Sequence, residues 1–375
     1  MKYLLLFLSV FLLSCNNNKS VLLTKKGEVF FGLKNALSYS RKGIFFDRKT
    51  KKELVFFADA VTNKKILFFD VNGVLNDSVD LKEVTKTFEK PLNIKIISKD
   101  SILYLNKEFI VLINKKGEIK NVVDLMKLTA NDTSNDVYKF LPSFSNNYIE
   151  ENKNIIFSLD WQYHKNNKDN YDFKNYYIDA FKKPSIVRFD NFLTDSVSYV
   201  YEKENVFKNV FDKPKKFGRG IYYKKINDKN FIISLYSNYL LQFDEENLKV
   251  AKKILIESDY TKIGHKAFDI NEEFNDVYNM PKGILTNIFY DKKIGCYYVV
   301  VLHKIEFKND EIDYKKLDER PFSIIKYDTD FKKLNEFVFN KEKSEYLVNG
   351  IFQTEKGLLI LNNDNNEKKL RFSIF

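Results

Sequence analysis

Residues able to do chemistry are thinly spread in this sequence. No Gly-x-Ser-x-Gly turn is present to raise a serine nucleophile. Beyond the first twenty residues the one cysteine, Cys296, is embedded in the apolar run Ile294–Leu302, which predicts a buried, inert thiol. The three histidines, His164, His265 and His303, are scattered, and no His-x-x-x-His spacing places two ring nitrogens on one helix face. His303 ends an apolar run and reads as structural. These patterns predict no resident metal and no cofactor. Catalytic residues are not identifiable, because the acids are too numerous to sort without geometry.

Two stretches are chemically distinctive. Asp160–Phe181 holds the only tryptophan, Trp161, with Tyr163, His164 and further aromatics interleaved with Asn, Lys and Asp. Flat rings beside amides and charges suit recognition of a sugar or peptide, though in so aromatic a chain they also suit capping of a core. Phe217-Gly218-Arg219-Gly220 sets a rare arginine between two glycines. It is either a turn or a cradle for a carboxylate or sulfate. Trp161, Tyr163, His164 and Arg219 are therefore the candidate ligand-binding residues.

The elements that must carry these groups read as strands. Runs of four to eight apolar residues alternate with Asn/Asp/Lys/Gly turns, and long 3.6-residue periodicity is absent. Lys82–Glu89 and Val122–Leu128 are the best short helical candidates, and Val21–Leu33 reads as a strand pair. The cleanest unit spans 92–125: four short strands joined by tight turns, the size of one propeller blade. Its third strand and following polar residue recur. The copies are Ile66–Asp70, Ile110–Asn114, Ile186–Asp190, Leu240–Asp244 and Ser323–Asp328, at intervals of 44, 76, 54 and 84 residues. The shorter intervals match a four-stranded blade, and the longer ones contain the loop-like segments 128–148, 162–183, 258–281 and 305–320. An Asp or Asn after a strand bonds its own turn, which is the reading for Asp70 and its copies. Asn362–Asn366 reads as a hairpin tip without calcium-loop spacing. The last unit, from Leu347 to Phe375, has three strands, and Glu28–Leu33 is placed to supply the fourth. The expected fold class is all-β: a propeller of about six four-stranded blades, or seven, with the ring closed by N- and C-terminal strands.

The first residues are read separately. Lys2, the apolar run Tyr3–Leu13 and then Ser14-Cys15 resemble the lipobox of bacterial lipoproteins. That resemblance implies a signal peptide over 1–14 and acylation (palmitate among the chains) of Cys15. A tether would follow over 15–20, then a single domain over 21–375. The implied partner is the membrane, through the anchor. No acidic run follows the tether, which favours a periplasm-facing anchor on the outer membrane over the cell surface. The net charge of +11 comes from 62 Lys plus Arg, of which only six are Arg. Evenly spread lysines read as a solvated surface, so no nucleic-acid partner is expected. Taken together, lipobox, tether and irregular strand-Asp-turn blades resemble the uncharacterised β-propeller lipoproteins of Bacteroidota. That family implies no activity. The expected function is a non-catalytic binding or scaffold module of the cell envelope for a glycan, peptide or partner protein. The alternative is a glycan-cleaving enzyme using a carboxylate pair.

Overall fold

The described strands pair antiparallel, and consecutive strands pair within each four-stranded sheet, apart from the join of the first strand to the last. The computed structural model describes residues 23–33, 39, 41–89, 91, 93–106, 108–124, 138–142, 148–149, 154–163, 178, 181, 185–192, 198–201, 206–211, 215–216, 221–234, 237–244, 246–264, 268–269, 283–305, 318–340, 343–364, 366 and 368–375. After β1 (Gly27–Gly32), a first sheet holds β2 (Arg41–Asp47), β3 (Lys52–Asp59), β4 (Lys65–Asp70) and β5 (Leu75–Asp80). The short helix α1 (Lys82–Thr87) leads to β6 (Asn93–Ser98), β7 (Ser101–Leu105), β8 (Phe109–Ile113) and β9 (Ile119–Asp124). Next come β10 (Tyr138–Pro142), β11 (Tyr148–Ile149), β12 (Ile155–Tyr163), β13 (Ile186–Asp190) and β14 (Ser198–Tyr201). They form one sheet in the order β10-β12-β13-β14, with β11 beside β12. After β15 (Lys215–Lys216), a sheet holds β16 (Ile221–Ile226), β17 (Lys229–Ser234), β18 (Tyr239–Asp244) and β19 (Lys249–Leu255). β20 (Phe268–Asp269) returns to pair with β15. The next sheet holds β21 (Ile284–Asp291), β22 (Cys296–Leu302), β23 (Phe322–Tyr327) and β24 (Lys333–Phe339). The last holds β25 (Tyr346–Thr354), β26 (Gly357–Asn362) and β27 (Lys369–Ile374), completed by β1.

This is a β-propeller with five regular four-stranded blades. The expected count of about six is not reached by regular blades. The shortfall falls in 125–220, where long stretches lie outside the described residues. The first and last strands close the ring: β1 lies against β27 from Gly27↔Ile374 to Gly32↔Lys369. The expected strand pair at Val21–Leu33 is corrected by the same register. Gly27 belongs to the strand, and its partner comes from the C-terminus because pairing there covers an otherwise open edge. The helix expected at Lys82–Glu89 is present as α1. The one expected at Val122–Leu128 is not, since Val122 lies in β9.

Each hydrophobic cluster joins two sheets, which explains the near-continuous apolar runs of the middle strands. Phe45, Phe56 and Phe68 meet Ile94, Ile96 and Tyr104. Phe231 and Leu240 meet Tyr297 and Val299, and Phe322 and Ile324 meet Ile360 and Phe375. Ile156 and Ile186 of the five-stranded sheet meet Tyr223 and Leu241. A middle strand is covered on both faces and carries apolar residues at successive positions rather than alternate ones.

The recurring strand-Asp/Asn turn sets the spacing between blades. All five copies are third strands of their sheets. Asp70 Oδ1 accepts from the backbone N–H groups of Asn72 and Val74, and Asn114 Oδ1 from those of Lys116 and Glu118. Asp328 Oδ1 accepts likewise from Asp330 and Lys332. Burial works against charge at Asp70. The two backbone donors outweigh it and hold the carboxyl below its ordinary range. Three residues on, the backbone turns left-handed: φ is +87° at Gly73, +78° at Gly117 and +66° at Phe331. A Cβ at Gly73 would lie 2.0 Å from the Phe30 carbonyl oxygen of β1, and one at Gly117 the same distance from that of Asp80 in β5. Each glycine thus lets a turn rest on the outer strand of the preceding blade. Phe331 bears the left-handed strain for another reason. Its ring stacks on Tyr297 at 4.6 Å and meets Phe231 at 5.7 Å. Gly73→Ala is expected to lower stability by on the order of 2–4 kcal/mol, combining a strained φ with a backbone collision. Gly27→Ala, with nothing within 4 Å of its Cβ, should stay within about 0.5 kcal/mol. Urea denaturation of the two variants checks this, and equal losses would refute the blade-spacing role.

Candidate functional site

The first strands of the regular blades, β2, β6, β16, β21 and β25, approach one another around the ring axis. They surround a central cavity of about 450 Å³. Lys42 is the second residue of β2, Lys95 the third of β6 and Lys224 the fourth of β16. Asn287 and Asn349 are the fourth residues of β21 and β25. Three ammonium groups and two amides therefore come to a similar level of the channel, each from a different blade. The inner strands are irregular here. The ladder slips between Leu285 and Asn287 in β21, and between Tyr346 and Ile351 in β25. Such bulges re-aim side chains at the cost of ladder hydrogen bonds. Gly43 keeps the wall thin, since a Cβ there would lie 2.7 Å from the Phe56 ring. Phe56, Phe289 and Phe352 supply the aromatic part of the lining.

The electrostatics are one-sided. No Asp or Glu among the described residues lines the cavity. Lys224 Nζ donates to Asn287 Oδ1 and lies 4.1 Å from the centre of the Phe289 ring. Its partners are an amide carbonyl and a ring face rather than a carboxylate. Burial, reinforced by the nearby Lys95 charge, lowers its pKa to about 7. Burial likewise lowers Lys95. Lys42 Nζ donates to Asn349 Oδ1 at 3.4 Å, and Asn349 Nδ2 donates to Asp318 Oδ2 at 2.8 Å. Burial brings Lys42 down to about 8 although Asp318 pulls it up. Burial raises Asp318 although Lys42 and Arg320 pull it down. Desolvation thus outweighs attraction on both sides of that pair, and each group drifts toward neutrality. Arg320, buried beside Asp318 and Tyr222, comes down to about 10. Protein surrounds the three lysine heads at the channel wall, and that enclosure lowers all three.

Of the candidate ligand-binding residues, two lie on a described strand. Trp161 and Tyr163 belong to β12, where they pair with Phe140 and Tyr138 of β10. Their side chains, and all of His164, His265, Arg219 and Cys15, lie outside the described residues. Cys296 is a buried residue at the start of β22, and burial raises its thiol. Among the described residues no three His, Cys, Asp or Glu side chains converge as metal ligands, and no helix is long and apolar enough to cross a membrane. The channel lysines and amides were missed by the search for motifs. Their signal is weak but present: each first strand carries a Lys or an Asn at its second to fourth position.

His303 belongs to a second polar cluster, which is structural. Its Nε2 lies 2.7 Å from Ser323 Oγ, and Ser323 is fully buried in β23. Glu336 of β24 accepts from Ser258 Oγ at 2.5 Å and the Asp259 backbone at 2.8 Å, and pairs with Lys333 at 2.7 Å. This network ties the segment after β19 to the β21–β24 blade. A serine with no exposed surface cannot attack a substrate, so its contact with a histidine is not a catalytic pair.

Comparisons with known proteins agree on the architecture. No protein-family model matches the sequence, and no curated protein matches it. Among solved structures the chain is similar to a member of the DUF4221 family from Bacteroides vulgatus, at 19% identity and a TM-score of 0.68. The match covers 94% of this chain and 97% of that one. It is also similar to a Bacteroides fragilis protein whose name marks it as exported, at 10% identity and a TM-score of 0.51. That match covers 94% and 96% of the two chains. At these identities the likeness is one of fold over nearly the whole length. It agrees with the resemblance to uncharacterised Bacteroidota propellers read from the blades.

Proposed function

We propose that this chain is a non-catalytic binding module of the cell envelope, taking its ligand at the central channel. The observation that carries this reading is the lining itself: lysines, amides and phenylalanines converge from five blades, with no acid among the described residues. Hydrolysis of a glycan needs a pair of carboxylates about 5–10 Å apart across the bound bond. Recognition needs donors fixed on rigid strands around an apolar floor, which is what the inner strands supply. The five-stranded sheet is read as a sixth blade, because its Ile156 and Ile186 pack on β16–β19 as neighbouring blades do. Export is supported by the name of the Bacteroides fragilis neighbour. Anchoring through an acylated Cys15 is supported by the lipobox resemblance alone. Trp161, Tyr163, His164 and Arg219 are retained as proposed contacts for a glycan, peptide or partner protein.

The test is a binding screen on the purified full chain against neutral glycans, anionic small molecules and envelope proteins, run beside an assay for newly released reducing ends. Saturable binding without reducing-end release is expected. Steady release of reducing ends, abolished by a single Asp or Glu substitution, would replace this reading with the enzymatic one.

A further inference from the structure

We propose that the central channel is an anion site, built for a phosphate dianion either free or as the monoester of a small molecule. Lys42, Lys95 and Lys224 would hold it from three sides. The inference rests on the reading of the channel as the binding site and names the chemistry that the site would take.

The argument begins from an imbalance. The chain has 51 acidic residues, and none of the described ones lines the cavity into which three lysines are set. Asp318 is bound through Asn349 and lies beside Arg320 as well as Lys42, and Asp291 accepts from Gln353 behind the lining. Lys95 is close enough to Lys224 for its charge to help lower the Lys224 pKa. Setting like charges together in a confined space is unfavourable unless something of opposite sign joins them. A solvated surface needs no such arrangement. A lysine on an outer strand pairs with a nearby acid, as Lys120 of β9 does with Glu118 at 2.9 Å.

The choice of lysine over arginine narrows the ligand. A planar carboxylate is held best by the two-pronged guanidinium, and no arginine among the described residues lines the cavity. Ammonium groups act as point charges with donors in several directions. Arriving from β2, β6 and β16, they suit a compact tetrahedral oxyanion that presents an oxygen to each. Asn287 and Asn349 add amide groups at the same level, already engaged with Lys224 and Lys42. A bound dianion would replace these neutral acceptors with a charged one. The cavity of about 450 Å³ leaves room for a small organic group beyond the oxyanion. Among the described residues, Asp318 acts on Lys42 and Lys95 on Lys224, while Arg320 and Tyr222 lie beyond Asp318. Anion binding should therefore draw protons onto Lys224 and Lys42 near neutral pH and weaken as pH rises from 6.5 to 9.

Isothermal titration calorimetry on the full chain tests this with four probes: inorganic phosphate, sulfate, glycerol 3-phosphate and glycerol. Phosphate or glycerol 3-phosphate should bind, with proton uptake at pH 7.5 measured by changing the buffer. Lys95→Met and Lys224→Met should each weaken binding by roughly tenfold or more. Lys356→Met, on a blade turn outside the cavity, should leave it unchanged. Tighter binding of glycerol 3-phosphate than phosphate identifies a monoester ligand, and the reverse identifies the free ion. Absence of binding by both phosphates, or binding that the two channel substitutions leave intact, overturns the inference. Saturable binding of a neutral glycan with no phosphate binding would overturn it too, while leaving the binding-module reading in place.

Discussion

Phe31→Ala should destabilise the protein by about 3–5 kcal/mol, the range for truncating a fully enclosed aromatic. Phe31 has no exposed surface. Its ring lies 5.1 Å from Phe57, 5.5 Å from Phe69 and 5.5 Å from Phe372, the last two edge-on. These four rings join three segments distant in sequence: the N-terminal strand, the first blade and the C-terminal strand. The loss therefore falls on ring closure rather than on one blade. In a ring whose blades touch only their neighbours, opening one interface exposes two edges and leaves the two flanking blades held on one side only. The adjacent Phe30 is the control. It points to the opposite face of β1, is 43% exposed and is covered by Lys369 at 4.5 Å. Phe30→Ala should cost no more than about 1 kcal/mol. Urea denaturation followed by circular dichroism measures both. A small loss at Phe31, or equal losses at the two positions, would mean that the terminal strand is an appendage and not the clasp.

Much of this closure is legible without coordinates, and the reason is local. A third strand followed by Asp or Asn states its own geometry, because the side chain satisfies the turn wherever the strand is placed. The unit at 92–125 was readable almost strand for strand for that reason, and so was the vacancy at the C-terminus that β1 fills. The channel is a different kind of feature. Nothing about Lys42, Lys95 or Lys224 distinguishes them from the other lysines along the chain. What makes them a site is that three inner strands, separated by about fifty and more than a hundred residues, turn the same level toward one axis. Charge counting read +11 as a solvated surface and was right for lysines such as Lys99 and Lys120, which have acidic neighbours. It could not separate the three that meet in the channel, where no acid among the described residues forms the lining. The aromatic segment 160–181 drew attention for the opposite reason. Its composition is local and conspicuous, while the strand that carries Trp161 and Tyr163, β12, is second in its sheet rather than first.

The channel lysines should also leave a mark on stability that runs against binding. At Lys224 the folded pKa of about 7 lies well below the ordinary 10.5. Between those values the unfolded chain holds a proton that the folded chain has released, so the contribution of this residue to stability rises as pH rises. Below pH 7 both states are protonated, and the full penalty for enclosing the cation is present. Above 10.5 both are neutral, and the penalty is gone. Lys224→Met removes the cation and keeps most of the side-chain volume. It should stabilise the protein by on the order of 1–4 kcal/mol at pH 6, and the gain should shrink steadily toward pH 10. Lys42→Met should behave alike over a window beginning near pH 8, with a smaller gain because Asp318 loses a partner. The acid side moves the other way. Asp70 and Glu336 have lowered pKa values despite burial, held down by backbone donors at Asp70 and by Lys333 and Ser258 at Glu336. Their contributions are present at neutral pH and lost as pH falls through the folded values. Thermal denaturation of Lys224→Met and Lys42→Met from pH 5 to pH 10, and of wild type from pH 2 to pH 10, reads all of these slopes. A residue that destabilises the fold and is nevertheless needed for an anion to bind is serving the site rather than the scaffold. If Lys224→Met proved less stable than wild type at pH 6, the lysine would be a structural member of the ring, and the charged channel would lose its functional meaning.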